Sequence, residues 1–191
     1  MPNLRHLPRP AGYKSRPGRH SVLPGDLRKA SRLSTMSEGS IRRALPSEAE
    51  QLSELAMRSK AHWGYDAVFL ESSRADLTIA PAYIARCSVF VAEEDEGVIG
   101  FYSLRWEGAD LWMDHLFVEP DRIGNGWGGR LFDHAVSTAS ELGAVSFQIE
   151  ADPNAEPFYL AKGARSIGHT ESPVRPGRML PLLLFDIEQE R

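Results

Sequence analysis

The stretch Leu116-Phe117-Val118-Glu119-Pro120-Asp121-Arg122-Ile123-Gly124-Asn125-Gly126-Trp127-Gly128-Gly129-Arg130-Leu131 passes from an apolar strand, through a proline and a glycine-rich turn, into a helix. The helix follows from what comes next: Trp127, Leu131, Ala135, Ala139 and Leu142 recur at three- or four-residue spacing, and Gly143 stands where a helix C-cap wants glycine. A turn of this kind gathers consecutive backbone N–H groups and the positive end of the helix dipole at one point, which suits a phosphate or pyrophosphate. Glycine serves twice there: it tolerates positive φ and, lacking Cβ, lets an anion reach the amides. A glycine turn before a helix is also common without any ligand. Nothing matches the loop G-x-x-x-x-G-K-[ST], and the upstream sequence does not read as the repeated parallel βαβ unit of a dinucleotide fold.

Upstream, residues 111–118 alternate Leu111, Met113, His115 and Phe117 against Trp112, Asp114, Leu116 and Val118; both faces are largely apolar, as in a covered central strand. Residues 88–92 and 98–106 are β-rich runs separated by the polar turn Glu93-Glu94-Asp95-Glu96-Gly97, a hairpin signal. Residues 41–45 predict a strand, and Pro46-Ser47-Glu48 opens a helix carrying Leu52, Leu55, Ala56 and Trp63 at helical spacing. Between 62 and 85, Gly64 and Pro81 predict broken helix, one piece after Asp66 and another over 82–86. Downstream, Val145, Phe147 and Ile149 alternate with Ser146, Gln148 and Glu150 as a half-polar strand, a short helix covers 156–162, and strands at 164–168 and 179–187 flank the proline-rich stretch 172–177. The order is strand, helices, three strands, helix, strand, helix, two strands, with no internal repeat.

The quoted glycine run resembles the acyl-CoA motif of the GNAT N-acetyltransferase superfamily: a strand, often a proline, then [QR]-x-x-G-x-[GA] opening a helix. Gly126 and Gly128 fill the last two motif positions; Ile123 stands in place of the usual Gln or Arg, with Arg122 one residue earlier. A second run, Asn154-Ala155-Glu156-Pro157-Phe158-Tyr159-Leu160-Ala161-Lys162-Gly163-Ala164, is similar to the superfamily's N-x-x-A-x-x-F-Y-x-x-x-G-F signature, with the asparagine nearer the aromatic pair and Ala164 where an aromatic is common. The resemblance covers roughly residues 40–188 and implies an α/β (α+β) fold: a central mixed, mostly antiparallel sheet flanked by helices, with a splayed strand pair at the acyl-CoA cleft. It implies acetyl-CoA as co-substrate, no metal, and transfer of an acetyl group to a primary amine, of a small molecule or, alternatively, of a peptide or protein. A non-catalytic acyl-CoA-binding regulatory module is the reading from another class.

The resemblance also distributes roles. Backbone N–H groups of Ile123, Gly124, Asn125, Gly126, Trp127, Gly128 and Gly129 are the candidate pyrophosphate cradle, and the strand end at Leu116, Phe117 and Val118 the candidate partner of the pantetheine amides. Direct acyl transfer needs a neutral amine, a polarised thioester carbonyl and a proton for the departing thiolate. Tyr159 is the candidate acid, against the plainer reading of an aromatic packed on the last helix. Asn154 either bonds the pantetheine arm or caps the following helix. Glu150 and Asp114 are the two candidate bases; their plainer readings are a solvated strand-end charge and the buried partner of an arginine. His62, Trp63 and Tyr65 around Gly64 form a candidate substrate wall or part of the core, His115 is a core histidine or a substrate contact, and Arg178 is a candidate contact to an acidic acceptor group or a surface arginine.

Composition bounds these readings. With 191 residues, 42% hydrophobic and 25% charged, the chain has the balance of a globular protein with one sizeable core. No apolar run reaches the roughly 20 residues of a membrane span, which gives the expectation of a soluble protein, and a single cysteine fits a reducing cytoplasm. The lone Cys87 excludes an internal disulfide and a cysteine-rich metal site and reads as packing. Residues 1–35 hold eight Lys or Arg against Asp26 alone, a net +7, so the formal charge of −4 for the whole chain leaves −11 on the remainder. Five prolines and no apolar periodicity predict a disordered basic tail. A nucleic-acid-binding arm, an organelle address, and residues upstream of a translation start at Met36 are the three readings of that tail; the last is the expectation, with 36–191 as one acyltransferase domain. The acceptor is expected to be a small amine, drawn by the acidic body; nucleic acid and membrane are not expected partners, and the resemblance allows a homodimer.

Overall fold

In the computed structural model of the chain, residues 39–95 and 97–188 are described. The expectations of a disordered tail and a start at Met36 fall outside them. The hairpin reading is met by β2 (Ser88–Glu94) and β3 (Gly97–Glu107), which pair antiparallel; β4 (Asp110–Val118) follows on the other side of β3. With β1 (Ser40–Arg43), β5 (Ser146–Glu150), β6 (Arg165–Glu171) and β7 (Met179–Asp186) they make a seven-stranded sheet in the order β1-β2-β3-β4-β5-β7-β6. Every neighbouring pair is antiparallel except β4 and β5. The helix α4 (Trp127–Glu141) links those two strands, because a parallel pair needs a crossover.

Helices cover both faces. On one side α1 (Ala49–Ala61) and α3 (Pro81–Arg86) bury Leu52, Leu55, Ala56 and Ile84 against Val89, Val91 and Phe101. On the other, α4 and the short α5 (Glu156–Ala161) bury Leu131, Phe132, Ala135, Ala139 and Tyr159 against Tyr102, Leu104, Leu111, Met113, Phe147 and Leu183. The remaining helix, α2 (Ala67–Ser73), starts where the Asp66 carboxylate accepts the Phe69 N–H at 2.8 Å. The α4 boundary is set by chemistry legible in the sequence: Gly143 has φ 80°, and the N–H groups of Gly143 and Ala144 close on the carbonyls of Ser140 and Ala139 at 2.9 and 3.0 Å, a double-bonded glycine C-cap. At Gly100, a Cβ would lie 2.9 Å from the Phe117 carbonyl and 3.0 Å from Leu131, so glycine lets α4 approach the sheet.

The simple alternation expected for β4 is corrected. Ser103 pairs with His115 but Leu104 pairs with Met113, so β4 carries one extra residue, Asp114, as a bulge. The phase shifts there. Leu111, Met113, Leu116 and Val118 face the α4 side, whereas His115 and Phe117 lie with Phe101 on the α1 and α3 side.

Candidate active site

The sheet is incomplete where β4 and β5 meet. Their one register pair is Trp112 with Gln148, and beyond it the strands part. The gap is the floor of a cleft of about 820 Å³ lined by residues 112–118 and 149–152, by the turn into α4, by Asn154, Ala155, Phe158 and Tyr159, and across from them by Lys60, Trp63, Arg105, Glu107 and Arg178. The Glu119 N–H bonds the Ile99 carbonyl at 2.8 Å. Strand alternation therefore turns the Phe117 amide and carbonyl toward β3 and those of Leu116 and Val118 into the gap. Of the three strand-end candidates, Leu116 and Val118 offer backbone groups to an extended ligand; Phe117 offers only its ring.

At one end of the cleft the turn narrows onto α4. Gly124 and Gly126 have φ 86° and 87°, and nothing lies within 4 Å of where a Cβ would stand on either. The first helical bond runs from Arg130 N–H to the Gly126 carbonyl at 3.1 Å, so the N–H groups of Gly126, Trp127, Gly128 and Gly129 precede the helical ladder. Ile123, Gly124, Gly126, Gly128 and Gly129 line the cleft. One expectation changes. The Asn125 N–H is taken up by the Arg122 carbonyl at 3.2 Å, because the turn closes on itself. The Trp127 indole is buried, donating Nε1–H to Glu94 at 2.9 Å with the Arg130 guanidinium stacked 3.9 Å from its ring centroid, so its side chain anchors the helix start. Arg122 pairs with Glu94 and Asp121 at 3.0 and 2.9 Å and does not line the cleft. The cation brought to the first turn of α4 is Lys162, whose Nζ lies 3.4 Å from a Cβ built on Gly129 and which also pairs with Asp133 at 2.7 Å. A backbone cradle open to the cleft and without Cβ atoms fits a pyrophosphate.

Tyr159 and Glu150 stand in the middle. The Tyr159 ring is buried, and its hydroxyl has no hydrogen-bond partner among the described residues. No described buried side-chain nitrogen or oxygen lacks a partner, so that hydroxyl opens to the cleft. Burial pushes its pKa well above the ordinary phenol value, keeping it protonated. Glu150, at the end of β5, makes no hydrogen bond among the described residues; desolvation first, and then the Asp114 charge, raise its pKa. Asp114 is different. Its Oδ2 accepts from Arg105 Nε at 2.6 Å and from the Tyr83 hydroxyl at 2.7 Å, and its Oδ1 from Arg105 Nη2 at 3.2 Å. The arginine-partner reading holds, and as a base candidate Asp114 has three of its roughly four acceptor positions already taken.

The far wall is organised by Asp152, a residue the sequence did not single out. Its carboxylate accepts from Lys60 at 3.2 Å, Arg178 at 3.1 Å, the Asn154 N–H at 3.0 Å and the Tyr65 hydroxyl at 2.7 Å. Arg178 Nη2 and Asn154 Nδ2 also donate to the Tyr65 hydroxyl oxygen, at 2.8 and 2.9 Å. Burial pushes the Asp152 carboxyl up, but the Tyr65 hydroxyl, the Asn154 N–H and Lys60 outweigh it and hold it below its ordinary range. The capping role of Asn154 is corrected: α5 is N-capped by Ala155, and the Asn154 side chain, which lines the cleft, ties Tyr65 to Asp152. Tyr65 and Arg178 belong to this knot. Trp63 lines the cleft and is exposed, with His62 packed edge-on against it at 5.3 Å outside the lining. His115 lines the cleft and bonds Ser103 Oγ through Nδ1 at 2.7 Å. His115 and the Asp152 knot are thus brought to the same cleft as Tyr159 and Glu150.

Residues 85–163 match the family described as acetyltransferase (GNAT) domain. No curated protein sequence matches the chain. Among solved structures, a GCN5-related N-acetyltransferase from Rhodopseudomonas palustris superposes with a TM-score of 0.65 at 23% identity, over 79% of this chain and 97% of the other. The PaiA N-acetyltransferase from Thermoplasma acidophilum in complex with coenzyme A gives 0.60 at 17%, over 78% and 98%. The ribosomal-protein-S18-alanine N-acetyltransferase from Escherichia coli gives 0.60 at 14%, over 80% and 96%. These similarities describe the same fold.

Proposed function

We propose that the chain, whose residues 85–163 match the acetyltransferase (GNAT) domain family, is an enzyme that moves an acetyl group from acetyl-CoA to the primary amine of a small molecule by direct transfer. The observation that carries this reading is one continuous cleft with a glycine-amide cradle at one end, open strand-edge amides along its floor, and an unpartnered phenol and carboxylate beyond them. When bound, acetyl-CoA supplies an activated acetyl thioester. Residues 126–129 hold the pyrophosphate through backbone N–H groups, and Leu116 and Val118 hold the extended arm as a further strand would be held. Glu150 takes a proton from the acceptor nitrogen, directly or through water; its raised pKa brings it closer to that task than an ordinary surface carboxylate. Tyr159, kept protonated by burial, gives a proton to the departing sulfur.

A small cationic amine is favoured by the carboxylates of Glu107 and Glu150 and by the exposed indole of Trp63 in the same cleft. Calorimetric titration of the full chain with acetyl-CoA tests the reading, repeated on Gly126→Trp, which fills the cradle and strains a φ of 87°. Binding lost in the variant supports the cradle, and thiol release with small amines but not with peptides supports the acceptor class. Absence of binding by the unmutated protein withdraws the enzyme.

A further inference from the structure

His115 sits in an aromatic box, with ring centroids 5.5 Å from Tyr83, 5.9 Å from Phe101 and 6.1 Å from Phe117. Its Nδ1 ends a chain of hydrogen bonds whose direction can be settled by counting protons. Arg105 donates to both oxygens of Asp114, and a carboxylate paired in this way can only accept. Tyr83, whose burial keeps its phenol protonated, therefore spends its one proton on Asp114 Oδ2. The 2.9 Å contact between Tyr83 and Ser103 oxygens must then contain the serine proton. With that proton spent, the 2.7 Å contact between Ser103 Oγ and His115 Nδ1 must contain the imidazole's. Nδ1 carries hydrogen and Nε2 carries the lone pair.

Nε2 has no partner among the described residues, and no described buried side-chain nitrogen or oxygen is left without one. Since His115 lines the cleft, that lone pair is open to it. Burial holds the imidazole pKa down to about 4, Asp114 and Arg105 acting on it in opposite senses, so the ring is neutral near pH 7.

We propose that Asp114, Tyr83 and Ser103 are positioning residues that lock His115 in its Nδ1-protonated tautomer, so that Nε2 presents a fixed hydrogen-bond acceptor to the N–H of the acceptor amine. In water an imidazole exchanges between tautomers and can offer either a donor or a lone pair. Here it offers only the lone pair. It orients an incoming N–H and disfavours an acceptor that turns a carbonyl oxygen to the same place, leaving proton removal to Glu150. The role at the amine rests on the proposed acetyl transfer; the locked tautomer does not.

Long-range proton–nitrogen correlation spectra of the ¹⁵N-labelled full chain, with the His115 signals assigned by their loss in His115→Gln, test the lock without any substrate. The expected spectrum is a neutral ring protonated at Nδ1 across the neutral pH range. Tyr83→Phe keeps the ring packing but breaks the chain, and it should move His115 toward the Nε2-protonated form. Wild-type protein with hydrogen on Nε2, or an unchanged tautomer in Tyr83→Phe, overturns the lock. For the contact, Tyr83→Phe should raise the KM of the amine about three- to tenfold, the worth of one hydrogen bond, with acetyl-CoA affinity unchanged. An unaltered KM beside a shifted tautomer overturns the contact. Lack of acetyl-CoA binding would refute the enzyme while the spectra still judge the lock.

Discussion

Replacing Asp152 by asparagine removes one negative charge from between two cations. Lys60 and Arg178 are 14% and 16% exposed at their side chains and Asp152 itself 16%, so water can restore only part of what the carboxylate supplies. Removing one partner of a buried charge network costs about 3–5 kcal/mol; partial hydration, and the cation–π contacts that Lys60 and Arg178 keep with Tyr65 and Phe69 at 4.9–5.4 Å, bring the expectation to about 2–4 kcal/mol. For a domain of this size that is a fall in Tm of roughly 5–15 °C. Urea unfolding followed by circular dichroism measures it. The pH dependence supplies a sharper check. The folded carboxyl pKa is depressed, so its contribution is complete above the unfolded value and is lost as pH falls through the lower folded one. The gap between wild type and Asp152→Asn should be full at neutral pH and close only in acid, below about pH 4. A gap under about 1 kcal/mol at neutral pH, or one unchanged in acid, would show that the carboxylate does not bind the wall together.

Tyr159→Phe removes a hydroxyl with no partner among the described residues, so stability and acetyl-CoA affinity should hold while kcat falls about 10²- to 10⁴-fold; unchanged turnover in a thiol-release assay rejects Tyr159 as the acid. Glu150→Gln should lower kcat by a similar factor. Because the Glu150 pKa is raised, the wild-type rate should climb with pH through a value above the ordinary carboxylate range, and that limb should vanish in the variant; a limb that survives assigns the base elsewhere. Gly100→Ala places a methyl 2.9 Å from the Phe117 carbonyl and 3.0 Å from Leu131, so thermal unfolding should report a loss of about 1–3 kcal/mol from overpacking.

The element order and most boundaries were legible because local signals and tertiary packing agree. The α4 stripe, its glycine C-cap and the Asp66 N-cap each place chemistry within five residues of where it acts. The glycine turn was readable for the same reason. The Asp152 knot was not, since Tyr65 and Asp152 lie 87 residues apart and Tyr65 and Arg178 113 apart, and nothing near Asp152 distinguishes it from a loop carboxylate. The cap reading of Asn154 failed through the same gap: its neighbours in sequence suggested a cap, while its partner comes from the segment after α1.

The β4 bulge is where sequence periodicity fails most instructively. A strict two-residue alternation sends Asp114 and His115 to opposite faces of the sheet. With one extra residue inserted, both turn toward Tyr83: Asp114 reaches its hydroxyl at 2.7 Å and His115 meets its ring edge-on at 5.5 Å. Arg105, Asp114, Tyr83, Ser103 and His115 can form one directed chain only because of that slip. The apolar residues on either side, Leu111 and Met113 before it and Leu116 and Val118 after it, still reach the α4 core because the shift swaps their parity as well. Core packing thus selects the same backbone distortion that assembles the polar wall of the cleft. A change that restored regular alternation would have to sacrifice the burial of Leu116 and Val118 together with the chain ending at His115.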